Sequence, residues 1–417
     1  MAVLTAPPLS LYVHFPWCVR KCPYCDFNSY TLQGELAADP YIGRLRRDLE
    51  AQAPEVAGRP VVSVFLGGGT PSLFPAEAIA RVLGAARSHL ELAADAEVTL
   101  EANPGTIERG AFREYRAAGI TRVSLGAQSF SPAALQALGR IHSPAETRRA
   151  AEELHAAGLT NFNLDLMYCL PGQTRAEAAR DVEEALALAP AHLSHYQLTL
   201  EPGTVFAALP PPLPDEDEAA AQLEECGARL AAAGFARYEV SAYARAGRQC
   251  RHNLNYWTFG DYLGVGAGAH GKRTLAPRGI IERTVQPREP RRYLAAAAGA
   301  LTRTAVPAAQ LPFEYMLNAL RLTAGFALEE FGARTGLECA SIAAPLARLE
   351  ARGLLERTGA GYRASALGFR FLNDLLLEFM AESPEMSAGY ALSTARAAAA
   401  RDRRPPLFTG AESAVGE

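Results

Sequence analysis

The chain predicts an α/β fold: an open (β/α)6 partial barrel of the TIM type, followed by a smaller α-rich C-terminal domain with a winged-helix pattern. Three observations predict it. Short apolar runs of β type alternate with longer amphipathic stretches along the first half of the chain. Polar and glycine-rich motifs recur where those runs end, as they do at the C-terminal face of barrels. The 417 residues exceed the usual single domain, and an apolar content of 49% supplies a sizeable core.

The β-type runs fall at 10–14, 61–66, 97–101, 122–125, 162–167 and 193–200. Between them lie Ala- and Arg-rich amphipathic stretches at 40–53, 76–90, 109–118, 144–157 and 174–188. Strands separated by helical crossovers run parallel, with right-handed connections. Six units stand out, and two further clean ones that would close an eight-stranded barrel do not. A barrel core is therefore expected over 1–210 and an extension over 211–290. The extension opens on Pro210-Pro211-Pro212-Leu213-Pro214 and the acidic cap Asp215-Glu216-Asp217-Glu218, which precede a helix to about residue 233. A second Pro- and Arg-rich stretch, 284–292, leads into the expected C-terminal domain, 291–382. There Phe331-Gly332-Ala333-Arg334-Thr335-Gly336, the run 345–355 and Tyr362-Arg363 give the winged-helix pattern. It carries no pronounced basic recognition helix, so nucleic acid is not an expected partner. From 383 to 417 the chain is Ala-, Arg- and Ser-rich without apolar periodicity, and disorder is expected.

A net charge of −4 gives no global attraction to nucleic acid or anionic lipid. The first residues lack the basic start and apolar core of a signal peptide, and no apolar run approaches the roughly 18–20 residues of a membrane span. Seven cysteines, three of them clustered, suit a reducing compartment and a cytoplasmic protein.

The clustered cysteines lie in YVHFPWCVRKCPYCDF, residues 12–27, where Cys18, Cys22 and Cys25 are spaced C-x3-C-x2-C. Soft thiolates this close select zinc, Cu(I) or an iron-sulfur cluster. A closed zinc site needs a fourth ligand nearby, and no other cysteine is within a loop's reach, so three protein ligands and one open position is the simpler arrangement. Other candidates sit at strand ends. Gly67-Gly68-Gly69-Thr70-Pro71 follows the second run and lets backbone approach a ligand. Glu101 ends the third run and Gln128 the fourth. Asp165 lies inside the apolar fifth run and needs a partner, and Arg140 is a candidate for that partner or for a ligand carboxylate.

The loop, with Tyr24 before Cys25, resembles the cluster loop of the radical S-adenosylmethionine (SAM) enzymes, and the expected barrel is then the partial barrel of that family. In it three cysteines hold three irons of a [4Fe-4S] cluster, and SAM chelates the fourth. Among these enzymes the chain is most similar to the oxygen-independent coproporphyrinogen III oxidase branch, over residues 9–380. The resemblance implies that Cys18, Cys22 and Cys25 carry the cluster and that Tyr12, Gly68 and Glu101 meet the cluster-bound SAM. It also implies that Gly69, Thr70, Gln128, Arg140 and Asp165 line a second SAM site.

Two departures point to a sister group, the heme chaperones. The oxidases have a cysteine two residues past the third ligand, where this chain has Phe27, and they carry an extension ahead of the loop, whereas Tyr12 stands near the first residue. The run Cys25-Asp26-Phe27-Asn28-Ser29 and the stretch Arg251-His252-Asn253-Leu254-Asn255-Tyr256-Trp257 resemble that group. There the latter pattern, H-N-x-x-Y-W, is associated with heme. His252 offers an axial nitrogen, Tyr256 and Trp257 offer flat apolar surface, and Asn253 belongs to the same motif. Cys250 and, in the glycine-rich stretch 260–271, His270 are reserve ligands. The resemblance implies a chaperone that passes heme to respiratory proteins, some of them membrane-bound, so that the chain acts transiently at the inner face of the membrane. It leaves the oligomeric state open between monomer and homodimer. The alternative is the enzyme itself, a coproporphyrinogen III dehydrogenase that decarboxylates propionates through a SAM-derived radical.

Overall fold

A computed structural model describes residues 2–106 and 111–380. The expected tail, 383–417, and the end of the expected C-terminal domain lie outside the described residues, as does the start of the expected helix 109–118.

All six expected strands are present: β1 (Leu9–Phe15), β2 (Val61–Gly68), β3 (Leu92–Ala102), β4 (Arg122–Gln128), β5 (Phe162–Tyr168) and β6 (His192–Gln197). They pair in sequence order and in parallel. The remaining strands of the sheet are β7 (Ala236–Arg237), β8 (Ala242–Ala244), β9 (Asp261–Val265), β10 (His270–Leu275), β11 (Ile280–Val285) and β12 (Thr302–Ala305). The 12-stranded sheet runs β12-β11-β10-β9-β1-β2-β3-β4-β5-β6-β8-β7.

β9 is a seventh parallel strand, pairing Leu9 with Asp261 and Val13 with Val265. Its glycine-rich composition conceals it. A Cβ at Gly264 would lie 2.0 Å from the His270 carbonyl oxygen, so close packing of the β9–β10 hairpin excludes the β-branched residues that mark a strand.

Helices α1 (Ala38–Gln52), α2 (Ala76–His89), α3 (Ala111–Ala118), α4 (Pro132–Ala137), α5 (Pro144–Ala156) and α6 (Arg175–Ala187) fill the crossovers. Local chemistry sets their ends. Ser143 with Glu146, and Thr174 with Glu177, form capping boxes that satisfy the first N–H groups of α5 and α6. After the short α7 (Val205–Ala208) and the proline run, α8 (Glu216–Ala232) is capped by Asp215 and places Cys226 and Leu230 in the barrel core. One core thus joins Leu11, Val64, Leu100 and Leu125 of the sheet with Tyr41, Leu45 and Val82 of the outer helices.

α9 (Arg251–Trp257) precedes β9, and the short α10 (Pro290–Ala295) carries Tyr293 into the barrel core. A second core forms around Tyr315, Phe331, Ile342, Leu349 and Tyr362. It holds α11 (Leu311–Ala319), α12 (Leu328–Thr335), α13 (Ala340–Ala351) and a small antiparallel sheet of Phe326–Ala327, Gly361–Ala364 and Leu355–Arg357. The N-terminal segment crosses to it, with Thr5 N–H donating to the Ala333 carbonyl at 2.9 Å.

Candidate functional site

The cysteine loop leaves the C-terminal end of β1 and is stitched to its surroundings by backbone. Trp17–Cys18 pairs in parallel with Tyr30–Thr31, and Lys21 Nζ donates to the carbonyls of Phe27 and Ser29 at 3.0 and 3.1 Å. His14 Nε2 donates to the Asn28 carbonyl at 2.9 Å, which leaves Nδ1 to accept from the Tyr12 hydroxyl, also at 2.9 Å. Asn28 Nδ2 in turn donates to the carbonyls of Ala267 and Arg288, both at 2.9 Å, and so ties the loop to the segment after β9. Sequence reasoning gave neither His14 nor Asn28 a role: the partners of Asn28 lie at the far end of the barrel segment, and the bond from His14 to its carbonyl forms only once the loop has folded back.

Cys18, Cys22 and Cys25 are free, half-buried and line one cleft of about 140 Å3. Burial pushes the Cys18 and Cys25 thiols up, against the opposing hydrogen bond of Ser29, so a positively charged centre is what would hold them as thiolates. Among the described residues that line this cleft there is no fourth Cys and no His. Three thiols with one position left open suit a [4Fe-4S] cluster better than a closed four-ligand zinc site. The donor set therefore fits a [4Fe-4S] cluster.

The same cleft is lined by Gly68, Gly69, Thr70 and Glu101, and by Gln128, Arg140 and Asp165 from the next strands and the turn after α4. Tyr12 faces an adjoining cleft that shares Gly68 and Glu101. All eight residues expected at SAM are thus gathered at the barrel mouth. Two glycines there are sterically required. Gly68 has φ +116°, and a Cβ on it would lie 2.4 Å from the His14 ring; one on Gly69 would lie 2.6 Å from the Trp17 carbonyl oxygen. Gly68→Ala is expected to lower stability by about 1–3 kcal/mol in thermal unfolding and to displace His14, weakening SAM binding with it.

Glu101 is half-buried and accepts the Gly68 N–H at 2.9 Å. Burial raises its carboxyl to about 8, the Gly68 bond opposes that, and Asp165 adds to it. Asp165 is also raised by burial. Its partners are Ser124 Oγ at 3.2 Å and Asn163 Nδ2 at 2.7 Å. The expectation that Arg140 pairs with it is corrected. The Arg140 guanidinium donates instead to the Gly126 carbonyl at 2.9 Å and to Cys22 Sγ at 3.8 Å, because the turn after α4 aims it at the cysteine loop. Gln128 is a non-glycine residue at φ +63°. Tyr196 donates to its Oε1 at 2.7 Å, and the next two residues are clamped to Asp181 by Ser129 Oγ at 2.7 Å and Phe130 N–H at 2.6 Å. Such a strained residue persists because its surroundings over-determine it.

The second set of candidates lies elsewhere. α9 packs against the N-terminal halves of β1 to β3, through Ser10, Ser63 and Glu97, whereas the cysteine loop follows the C-terminal ends. His252 is 1% exposed. Its Nδ1 meets Ser63 Oγ and its Nε2 meets the Tyr256 hydroxyl, both at 3.0 Å, while its ring stacks on Phe65 at 4.9 Å. Burial drops its pKa to about 3. In this conformation neither ring nitrogen is open to a metal. His252, Asn253 and Tyr256 border an inner cavity of about 260 Å3. Trp257 turns away, with the Arg321 guanidinium 4.2 Å above its ring. Cys250 is buried, with Sγ 3.6 Å from Glu97 Oε1. His270, by contrast, is exposed at the start of β10.

A cleft lined by three thiols and a ring of polar strand-end groups on a parallel partial barrel points to one class, that of radical SAM proteins. The model of the radical SAM superfamily matches residues 12–185, and that of the HemN C-terminal domain matches 306–371. The heme chaperone HemW of Escherichia coli K12 is 48% identical over 90% of this chain and 99% of its own length. HemW of Mycobacterium tuberculosis H37Rv is 40% identical over 80% of this chain and 86% of its own. A bovine relative, radical S-adenosyl methionine domain-containing protein 1, mitochondrial, is 36% identical over 90% of this chain and 88% of its own. The solved structure of E. coli coproporphyrinogen III oxidase (HemN), a radical SAM enzyme, covers 90% of both chains with a TM-score of 0.76 at 24% identity, which shows the shared fold. This chain belongs to the HemW family of the radical SAM superfamily. Membership implies a [4Fe-4S] cluster and SAM.

Proposed function

We propose that the protein is a heme chaperone that binds heme and delivers it to heme-dependent respiratory proteins. The observation that carries this reading is the 48% identity to the heme chaperone HemW across nearly that protein's whole length. When bound, the cluster on Cys18, Cys22 and Cys25 supplies a redox-active centre with one iron open to SAM. The chain's own residues hold and orient. Lys21 pins the loop, Arg140 places a positive charge beside Cys22, and the Gly68–Glu101 bond keeps the glycine turn open to a ligand. Glu101 and Asp165, both raised by burial, supply hydrogen-bonding groups to the hydroxyls and amine of SAM.

Some acceptors are membrane-bound, and the chaperone then works transiently at the inner face of the membrane. Among the described residues no helix is long and apolar enough to cross one. The recognition-helix position of the winged-helix module, α13, offers little to a nucleic acid: Arg348 near its end is paired with Glu378 at 3.0 Å. A protein contact is the better use of this surface. The reading is tested by anaerobic heme titration of the cluster-reconstituted protein, followed by visible absorbance, beside a coproporphyrinogen assay. Stoichiometric heme binding with no coproporphyrinogen consumed is expected. Turnover without specific heme binding would make the protein an oxidase.

A further inference from the structure

We propose that the heme iron is taken by His270, and a heme propionate by Arg288, in the cleft between the cysteine loop and the β10–β11 hairpin. This siting rests on the heme-binding reading above and assigns it a place.

The cleft has a volume of about 630 Å3, against about 260 Å3 for the inner cavity beside α9. Pockets for organic ligands run from roughly 300 to 1,000 Å3, so only the larger of the two admits a macrocycle without rebuilding the barrel. Its inner wall, Tyr12, Gly68 and Glu101, is shared with the SAM site. Its outer wall is not, apart from Phe27, which also borders the cysteine cleft. There Phe27, 60% exposed, Tyr262 and Val285 present apolar and aromatic surface, the facing a porphyrin needs. Tyr262 is held in place by Arg283 Nη1, which donates to its hydroxyl at 2.9 Å, and by an edge contact with Tyr256 at 4.5 Å.

Two polar groups converge on this surface. His270 is exposed, and among the described residues its ring makes no hydrogen bond, whereas both nitrogens of His252 are engaged. Partial burial and the nearby Arg283 and Arg288 hold the imidazole below its ordinary range, so at neutral pH it is in the form that ligates iron. Arg288 is exposed on the neighbouring chain segment. β10 and β11 pair His270 with Val285, and the Arg288 backbone is fastened by Asn28. Its guanidinium makes one long bond, Nε to Asn28 Oδ1 at 3.4 Å, and keeps its two terminal nitrogens for a carboxylate, where a bidentate pair forms readily. Axial nitrogen, flat apolar walls and a propionate partner are the three elements of a heme site, and the outer cleft brings them together.

The test is an anaerobic titration of the cluster-reconstituted protein with heme and with its dimethyl ester. Wild type, His270→Ala, Arg288→Met and His252→Ala are compared, with the cluster absorbance checked for each. Because His270 and Arg288 are exposed, their variants keep the fold. His270→Ala is expected to weaken heme at least tenfold and to change the axial-ligand spectrum, with added imidazole restoring the wild-type band. Arg288→Met is expected to weaken heme several-fold and leave the ester unaffected. Wild-type affinity and spectrum in His270→Ala would overturn the siting. Loss confined to a folded, cluster-bearing His252→Ala would overturn it too, and return the ligand to α9. A wild type that takes up no heme overturns the heme-binding reading, and this siting with it.

Discussion

Replacing Cys18, Cys22 or Cys25 singly by alanine is expected to abolish nearly all of the broad visible absorbance that anaerobic reconstitution with iron and sulfide produces. The same change at Cys169, Cys226, Cys250 or Cys339 is expected to leave it intact. The contrast follows from position. The first three thiols share one cleft at the barrel mouth. Cys226 packs inside the core, Cys250 is sealed beside Glu97, and Cys339 donates to the Leu328 carbonyl at 3.2 Å in the C-terminal domain. A cluster bound by three thiolates has no substitute ligand when one is removed, since no other Cys and no His is among the described residues that line the cleft. Iron content and absorbance check the prediction, and a full cluster in Cys22→Ala would refute the ligand set.

Glu101→Gln is expected to stabilise the cofactor-free protein while weakening SAM. The folded carboxyl is held at about 8 by burial, far above its ordinary value of 4.5. Between those values the folded chain keeps a proton that the unfolded chain has lost. Stability therefore falls as pH rises through the window, and the full penalty is present above the folded pKa. Each unit is worth about 1.4 kcal/mol, and the open clefts that this half-buried carboxyl lines screen part of it, so the penalty is on the order of 2–3 kcal/mol. Glutamine removes it and still accepts the Gly68 N–H. Thermal unfolding from pH 5 to pH 9 should show a falling midpoint in the wild type and a flatter one in the variant. SAM carries an ammonium and a sulfonium, whose charge draws the carboxyl into its ionised form on binding; glutamine cannot follow, so SAM is expected to weaken about tenfold, or about 1.4 kcal/mol, in equilibrium dialysis. A pH profile unchanged by the substitution would show that the carboxyl is not the neutral group described.

Much of the fold was legible because it rests on short-range signals. The strand 162–167 is a buried apolar run, and the amphipathic stretch 144–157 matches α5 to within a residue. The cysteine spacing and the Gly67-Gly68-Gly69-Thr70 turn were equally local. β9 escaped because tight hairpin packing demands glycine where a strand normally shows branched residues. Of the two partners open to Arg140 the structure removes Asp165: a cation and a carboxylate invite pairing on paper, while the turn after α4 points the guanidinium at Cys22.

The sequence by itself determined the class of this protein: the alternation of its elements, the three clustered cysteines and the strand-end residues around them, since each depends on neighbours a few positions apart. Only the tertiary structure decided which histidine is open. His252 meets Ser63 from 189 positions away, and Asn28 reaches Ala267 across 239. Those contacts bury one imidazole with both nitrogens engaged and shape an open cleft beside the other. No local pattern reports them, because they arise from the closing of the barrel.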